Sequence, residues 1–453
     1  MATGAPAESS LDATEYGTAR ERRGWYFYDW ANSAFSTTVI TVFLGPYLIT
    51  VAERAADAND RVYPLWIPVP AGSFFPYLVS LSVFLTVFVL PVVGAIADRS
   101  ARKKQLMAVF AYIGAAATVG LLFATGGRYL LGGMLFLVAN IAFGASVVVY
   151  YSFLPQIAEP DRRDSVSSIG WAMGYLGGGL LLAFNVVAVL AKDSLGLDTA
   201  EVARYSIASA GVWWAAFTTI PLLTLRNRPP AAGPRRGDAL TDGFRQLWHT
   251  LRELKAYPLT LFFLIAYLVY NDGIQTVITL ASVYGTKELQ LPDDVLVPTI
   301  LMVQFLAFAG ALLMGALAKR IGAWKTVLLS LVLWTVVLGI AFFLPAREAV
   351  PFIALGGLIG LVLGGSQALS RSLFSQLIPK GKEAEYFGIY EISDKGTSWL
   401  GPLLFGLAFQ ATASYRVAII SLVVFFVVGF VALAAVPIRK AIIQAGNTPP
   451  AVI

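Results

Sequence analysis

Long apolar stretches alternate with short polar loops along this chain, and twelve approach the length of about 20 residues that a helix needs to cross about 30 Å of hydrocarbon. They fall near 25–50, 75–97, 105–124, 130–153, 166–191, 204–225, 258–284, 296–318, 325–345, 350–374, 385–410 and 415–437, predicting twelve membrane helices, spans 1 to 12. Residues 1–23 are polar and lack the apolar core and small-residue cleavage site of a signal peptide. They predict a disordered tail ahead of an uncleaved first span. The 226–257 connector opens on Arg226-Asn227-Arg228-Pro229-Pro230 and Gly233-Pro234-Arg235-Arg236, a linker composition. In its second part Leu240, Phe244, Leu247, Trp248, Leu251 and Leu254 recur at helical spacing, with Arg245, Arg252 and Lys255 on other faces. That predicts an amphipathic helix lying on the membrane surface, with His249 in it. What remains is a six-helix half at 24–225, a second at 258–437 and a terminal tail at 438–453.

The halves echo each other. Gly94-Ala95-Ile96-Ala97-Asp98-Arg99 follows span 2, and Gly315-Ala316-Leu317-Ala318-Lys319-Arg320 follows span 8, 221 residues later. Thr38-Val39-Ile40-Thr41 in span 1 recurs as Thr276-Val277-Ile278-Thr279 in span 7, and Tyr175-Leu176-Gly177-Gly178 in span 5 faces Trp399-Leu400-Gly401-Pro402 in span 11. The chain therefore reads as an all-α integral membrane protein of two pseudo-symmetric six-helix halves, an architecture found mostly in transporters.

Composition supports this reading: 57% of residues are apolar and only 13% charged, against about a quarter charged in soluble domains. The net charge of +6 is gathered in a few loops. Arg20, Arg22, Arg23, Arg99, Arg102, Lys103, Lys104, Arg162, Arg163, Arg226, Arg228, Lys319, Arg320, Lys380, Lys382, Arg439 and Lys440 all fall on one side. The excess places both termini in the cytoplasm and suits contact with anionic lipid, not nucleic acid. With no cysteine and a single histidine outside the spans, no metal or cofactor is expected. Intramembrane hydrolases and acyl transferases usually set such a residue beside their nucleophile. No phosphate-binding loop is present either, so the chain reads as a non-enzyme.

Candidate chemistry lies on polar stripes inside the spans. Asp29, Asn32, Ser33 and Ser36 share one face of span 1, Asp272, Gln275, Thr276 and Thr279 one face of span 7, and Glu391, Asp394, Lys395 and Ser398 one face of span 11, while span 10 carries Gln367, Ser370 and Arg371. An ionised residue at bilayer depth costs roughly 2.5 to 3.5 kcal/mol, so these stripes face water or one another. Asp29, Arg371 and Glu391 lie within one or two turns of the cytoplasmic edge, and Asp272 and Lys395 near the midplane. The deeper layer reads as substrate or proton chemistry, with Asp272 a proton acceptor, and the shallower one as a gate. A lysine and an aspartate could hold the two ends of an amino acid while Tyr150, Trp171, Tyr175, Tyr270 and Trp399 line its side chain, beside Asn271. Buried pairs that only hold helices together would produce the same stripes.

Twelve spans, a basic central linker and a Gly-x-x-x-Asp-Arg-x-x-Arg-Lys loop after span 2 resemble the major facilitator superfamily. The resemblance implies that the loop, through Gly94, Asp98, Arg99 and Arg102, helps latch the cytoplasmic side by charge contacts that rearrange during transport. Ala101 stands where the superfamily has glycine, and Lys319 replaces the acid in the second copy. A narrower set, Tyr28-Asp29-Trp30-Ala31-Asn32-Ser33-Ala34-Phe35, Gly170-Trp171-Ala172-Met173-Gly174-Tyr175-Leu176-Gly177-Gly178-Gly179, Tyr270-Asn271-Asp272-Gly273, Ser366-Gln367-Ala368-Leu369-Ser370-Arg371-Ser372 and Phe387-Gly388-Ile389-Tyr390-Glu391, resembles the autophagy-related vacuolar amino-acid effluxers and their bacterial relatives. That branch implies a monomeric secondary active or facilitative carrier in the cell membrane. It would move a small solute such as an amino acid by alternating access, with protons as a candidate coupling ion. A drug or metabolite exporter, a sugar carrier and a transport-inactive sensor or scaffold are the alternatives.

Overall fold

The computed structural model describes residues 16–229, 252, 254–395, 400–412 and 414–453, and leaves aside the side chains of 282, 283, 286, 293, 294, 297 and 392–395. Among the described residues, eleven helices are long and apolar enough to cross a membrane: Ala19–Glu53, Ala71–Arg99, Lys103–Phe123, Tyr129–Ile157, Pro160–Leu190, Thr199–Thr224, Pro258–Ala281, Pro298–Ile321, Ala323–Phe343, Ala349–Gln376 and Tyr415–Ala435. These are spans 1 to 10 and span 12. Span 11 is described as two helices, Glu383–Lys395 and Leu400–Thr412, on either side of residues 396–399.

Contacts repeat between the halves as the sequence echo requires. Span 1 packs on spans 5 and 6, span 3 on 4 and 6, and span 2 on 4; in the second half, span 7 packs on 11 and 12, span 9 on 10 and 12, and span 8 on 10. The seam between halves is built mainly from two equivalent pairs, span 2 with span 11 and span 8 with span 5, joined by span 10 with span 5 and span 4 with span 11.

Span 1 begins six residues earlier than the apolar run indicates. Thr18 caps it, its hydroxyl accepting from the Glu21 amide while the Glu21 carboxylate accepts from the Thr18 amide, a capping box that satisfies two end donors. Residues 19–23 are therefore helix and not disordered tail. Glu21 is buried and also holds the start of the connector, 3.2 Å from Arg228. The connector helix predicted at 240–254, His249 included, lies outside the described residues apart from Arg252 and Leu254. At the other end of the chain the 438–453 tail is anchored: the helix Ile438–Gln444 buries Ile438, Ala441 and Ile442, and Asn447 donates to the carbonyls of Gln376 and Ile378.

Span 1 is π-helical from Phe35 to Phe43 between two α-helical segments. The Thr41 hydroxyl bridges the widened turn to the Ser36 carbonyl, 2.9 Å away. Such insertions recur at functional sites, and this one lies on the stripe carrying Ser33 and Ser36. Outside the spans, the loop after span 1 forms a short hairpin, Arg61–Val62 paired with Val69–Pro70. The turn leading into it is tied by Asp57, whose carboxyl is held below its usual range by the Tyr63 hydroxyl and by the Arg61 and Asn59 amides.

Candidate functional site

Each Gly-Ala-x-Ala motif marks a crossing of the seam. A Cβ at Gly94 would stand 2.4 Å from the Ala384 carbonyl oxygen of span 11, and one at Gly315 would stand 2.5 Å from the Ser168 hydroxyl of span 5. Only glycine lets these helices approach so closely. One turn past Gly94, Asp98 accepts from the backbone amides of Ala384 and Glu385 at 3.0 and 2.9 Å, satisfying orphan donors at the start of span 11, and its charge suits the positive end of that helix. Lys103 closes the group at 2.9 Å from Asp98. Lys103 rather than Arg102 thus supplies the described charge contact: the Arg102 side chain is exposed. Lys319, at the position equivalent to Asp98, is exposed too. Beside the second crossing, Arg163 of span 5 ties the halves through span 10, donating to the Ser375 carbonyl and the Gln376 side chain at 3.0 and 3.2 Å.

Asp98→Asn removes charge from three hydrogen bonds worth about 1.5–3 kcal/mol each when a partner is charged. We expect the closed seam to weaken by about tenfold or more. The chain has no cysteine, so disulfide trapping of one engineered pair across spans 2 and 11 reads this without background. Trapping at the wild-type rate would rule out the contact as a determinant of closure.

Deeper in the seam, Arg371 of span 10 is completely buried in a socket from the other half. Its Nη1 meets Asp29 at 3.1 Å, Nε donates to the Ser167 hydroxyl at 2.9 Å, and Nη2 donates to the Ser167 carbonyl at 2.8 Å. The Asp29 carboxylate also accepts from the Tyr150 hydroxyl at 2.7 Å. Aromatic rings of Trp25, Tyr151, Trp171 and Tyr150 surround the guanidinium at 4.8, 4.9, 5.3 and 5.9 Å. The whole arrangement joins the two halves on the face that carries the basic loops. The hydrogen bonds described between the halves all involve this region, from Asp29, Asp98 and 160–167 on one side to 368–385 and Ala451 on the other.

The remaining candidates separate into groups. Asn271 accepts from Gln367 at 2.7 Å and Tyr270 shares a 2.7 Å hydrogen bond with Ser370, so both tie span 7 to span 10 within one half. Asn32 is buried on the face of Asp29, while Trp171, Tyr175 and Gln275 are half-buried. Asp272 is 1% exposed, and neither carboxylate oxygen has a hydrogen-bond partner among the described residues; the Gly401 amide lies near it, outside hydrogen-bonding geometry. Glu391 is buried on span 11, and Arg99 ends span 2 half-buried. Asp394 and Lys395 sit on the last turn of the first helix of span 11, their side chains outside the described set, and Trp399 lies outside the described residues. With span 1 starting at Ala19, Asp29 lies ten residues, about 15 Å, into its helix.

Sequence reasoning missed Trp25, Tyr151 and Ser167 in the socket and Lys103 and Arg163 in the seam. Ser167 sits on one face of span 5 with Trp171, four residues on, a spacing that could have found it.

Solved structures share the fold. A fucose transporter of the major facilitator superfamily in the outward conformation aligns with TM-score 0.65 at 13% identity, covering 92% of this chain and 97% of that one. A bacterial homologue of the iron transporter ferroportin in an outward-facing state aligns at 0.62 and 14%, covering 92% and 98%. In sequence, an uncharacterised MFS-type transporter of Bacillus subtilis is 29% identical over 92% of this chain and 95% of its own length. Autophagy-related protein 22 of Kluyveromyces lactis is 27% identical over 93% and 94%. The family described as vacuole effluxer Atg22-like matches residues 17–446, nearly the whole of both halves and the seam between them. A multi-pass membrane chain with this fold and this match belongs to the Atg22-like branch of the major facilitator superfamily of transporters.

Proposed function

We propose that this transporter carries a small zwitterionic solute, an amino acid, outward by alternating access, with the basic face in the cytoplasm and shut in this conformation. The observation that carries the reading is the Asp29–Arg371 pair: a charge contact between the halves, set deep in the seam. Parting the halves on that side must break it, and closing them must restore it. Asp98 and Arg163 serve as outer latches on the same side, with Gly94, Arg99 and Arg102 around them.

The polar stripes of spans 1 and 7 supply the other side of the cycle. Thr41 and Thr279, equivalent positions in the two halves, are exposed in the middle of apolar helices, while Ser36 and Gln275 are half-buried. Polar side chains so placed on both halves suit a central cavity, with Asn32, Trp171, Tyr175, Asp272 and, on span 11, Asp394, Lys395 and Trp399 as binding or coupling groups. The family's description as vacuole effluxers supports a carrier that releases solute from a compartment, and the presence of both an acid and a base among the stripe residues, Asp272 and Lys395, supports a zwitterion. The excess of basic residues in the loops of one side supports cytoplasmic termini, in a carrier of the plasma or inner membrane.

Counterflow in proteoliposomes tests the substrate. Vesicles preloaded with an unlabelled amino acid should accumulate the labelled one, and those loaded with sugars or lipophilic cations should not. Accumulation of a sugar or a lipophilic cation alone would replace the amino-acid reading.

A further inference from the structure

We propose that the socket filled by Arg371 is a recognition site for small molecules bearing a guanidinium or ammonium group, which Arg371 occupies as a tethered ligand while the basic face is shut. The inference rests on the alternating-access reading and adds to it what the socket does once Arg371 has left.

The socket belongs wholly to one half. Trp25 and Asp29 come from span 1, Tyr150 and Tyr151 from span 4, and Ser167 and Trp171 from span 5. Among the described residues, Arg371 is the one charged group that the other half puts into the socket; Ala368, which accepts from the Ser167 hydroxyl at 2.7 Å, and Phe387 and Tyr390, which pack on Tyr151, touch its rim. All of these depart with their half and leave the six residues on their own. Their arrangement is held by contacts of their own. The Trp25 indole donates to the Tyr150 carbonyl at 3.0 Å, the two rings stack at 4.5 Å, and the Tyr150 hydroxyl holds the Asp29 carboxylate.

The chemistry of the emptied socket is specific. One carboxylate, one hydroxyl and one carbonyl oxygen point at the place where a flat cation lay, and four aromatic rings close around it. Each ring face over a cation contributes about 0.5–1 kcal/mol when exposed and about 2 when desolvated. A neutral or anionic group gains none of this. The vacated site also creates a demand, because an ion pair broken by removing one buried partner leaves an uncompensated charge. A cation arriving from the basic face answers it, and in doing so competes with closure. Closure in turn ejects that cation when Arg371 returns. Binding and gating are thereby coupled through one carboxylate, since a ligand that occupies only the open state shifts the population toward it.

The purified full-length protein tests this without transport. Ethylguanidinium and ethylammonium chloride are compared with sodium chloride and with neutral N-ethylurea at equal concentration, by thermal shift and by the fluorescence of the tryptophans. In Arg371→Ala the socket is free, so ethylguanidinium should bind at least about tenfold tighter than to the wild type, where only the open fraction is competent. Adding Asp29→Asn should abolish the gain. Arg371→Gln, which keeps length and polarity while removing charge, serves if the alanine variant does not accumulate.

An independent arm keeps Arg371. In the otherwise cysteine-free chain, Ser168→Cys at the span 5 to span 8 crossing should be alkylated faster from the basic face when ethylguanidinium is present. Ethylammonium acting where ethylguanidinium does not would overturn the match to Arg371. So would equal responses of Arg371→Ala and wild type, a response that survives Asp29→Asn, or an unchanged alkylation rate. Because binding is read on the purified protein, these results stand apart from which solute the vesicles accumulate.

Discussion

Arg371→Ala should leave the basic face open and reduce net transport to near background, while Asp29→Asn in the same protein partly restores closure. In the wild type, Arg371 is fully buried and answered by Asp29, Ser167 and four aromatic rings. Removing one partner of a buried ion pair typically costs about 3–5 kcal/mol, because the other charge stays behind without compensation. Here the cost falls on the shut state alone, since the halves must separate this pair when the basic face opens. A penalty of about 3 kcal/mol shifts the equilibrium between shut and open roughly a hundredfold.

Neutralising Asp29 as well removes the orphaned charge, so the double variant should be closer to wild type than Arg371→Ala is, a coupling that a double-mutant cycle isolates. The measurement is the accessibility of Ser168→Cys from the basic face in all four backgrounds. Equal accessibility throughout would mean that the pair holds helices together in both states and has no part in gating.

How much of this was legible in the chain depends on the range of the interaction. Apolar runs place helices through local composition, and so spans 1 to 10 and 12 were readable to within a few residues. The echo of Gly94 in Gly315 was readable too, and its physical cause is now plain: both are points where opposite halves touch with no room for a side chain. The early start of span 1 was written in Thr18 and Glu21, but Arg20, Arg22 and Arg23 give that stretch the composition of a tail. Composition outvoted the cap.

The socket was only half legible. Asp29, Tyr150, Trp171 and Arg371 stand out as polar or aromatic residues on marked stripes, yet the contact between Asp29 and Arg371 spans 342 residues and no local pattern encodes it. Trp25 and Tyr151 lie near the ends of their spans, where aromatic residues ordinarily anchor a helix at the membrane surface. Lys103 is one of several cations in a basic loop, and only the fold selects it over Arg102 to meet Asp98.

Asp272→Asn should abolish stimulation of transport by a proton gradient and leave exchange of solute between the two sides in place. Asp272 lies 14 residues, about 21 Å, into span 7, near the middle of the bilayer. It is buried, and its carboxylate oxygens have no hydrogen-bond partner among the described residues. An ionised carboxylate so placed would cost several kcal/mol, and proteins meet that cost by neutralising the group or supplying a counter-charge. We take a proton or a cation to accompany Asp272 in this conformation. Lys395→Ala, on the stripe that the sequence marks on span 11, should strip substrate binding while leaving insertion intact. When the cavity opens and water reaches Asp272, the charge becomes tolerable and the proton can leave. One acidic group alternating between a dry and a wet setting is enough to tie a proton to each cycle. Asparagine keeps the size and polarity of the side chain but carries no titratable proton, so the helix packing should survive while the tie is lost. The test is transport into proteoliposomes at several imposed pH gradients, wild type against Asp272→Asn. If the wild type moves solute no faster with a gradient than without one, and Asp272→Asn behaves identically, the protein is a uniporter and Asp272 has a structural role in span 7.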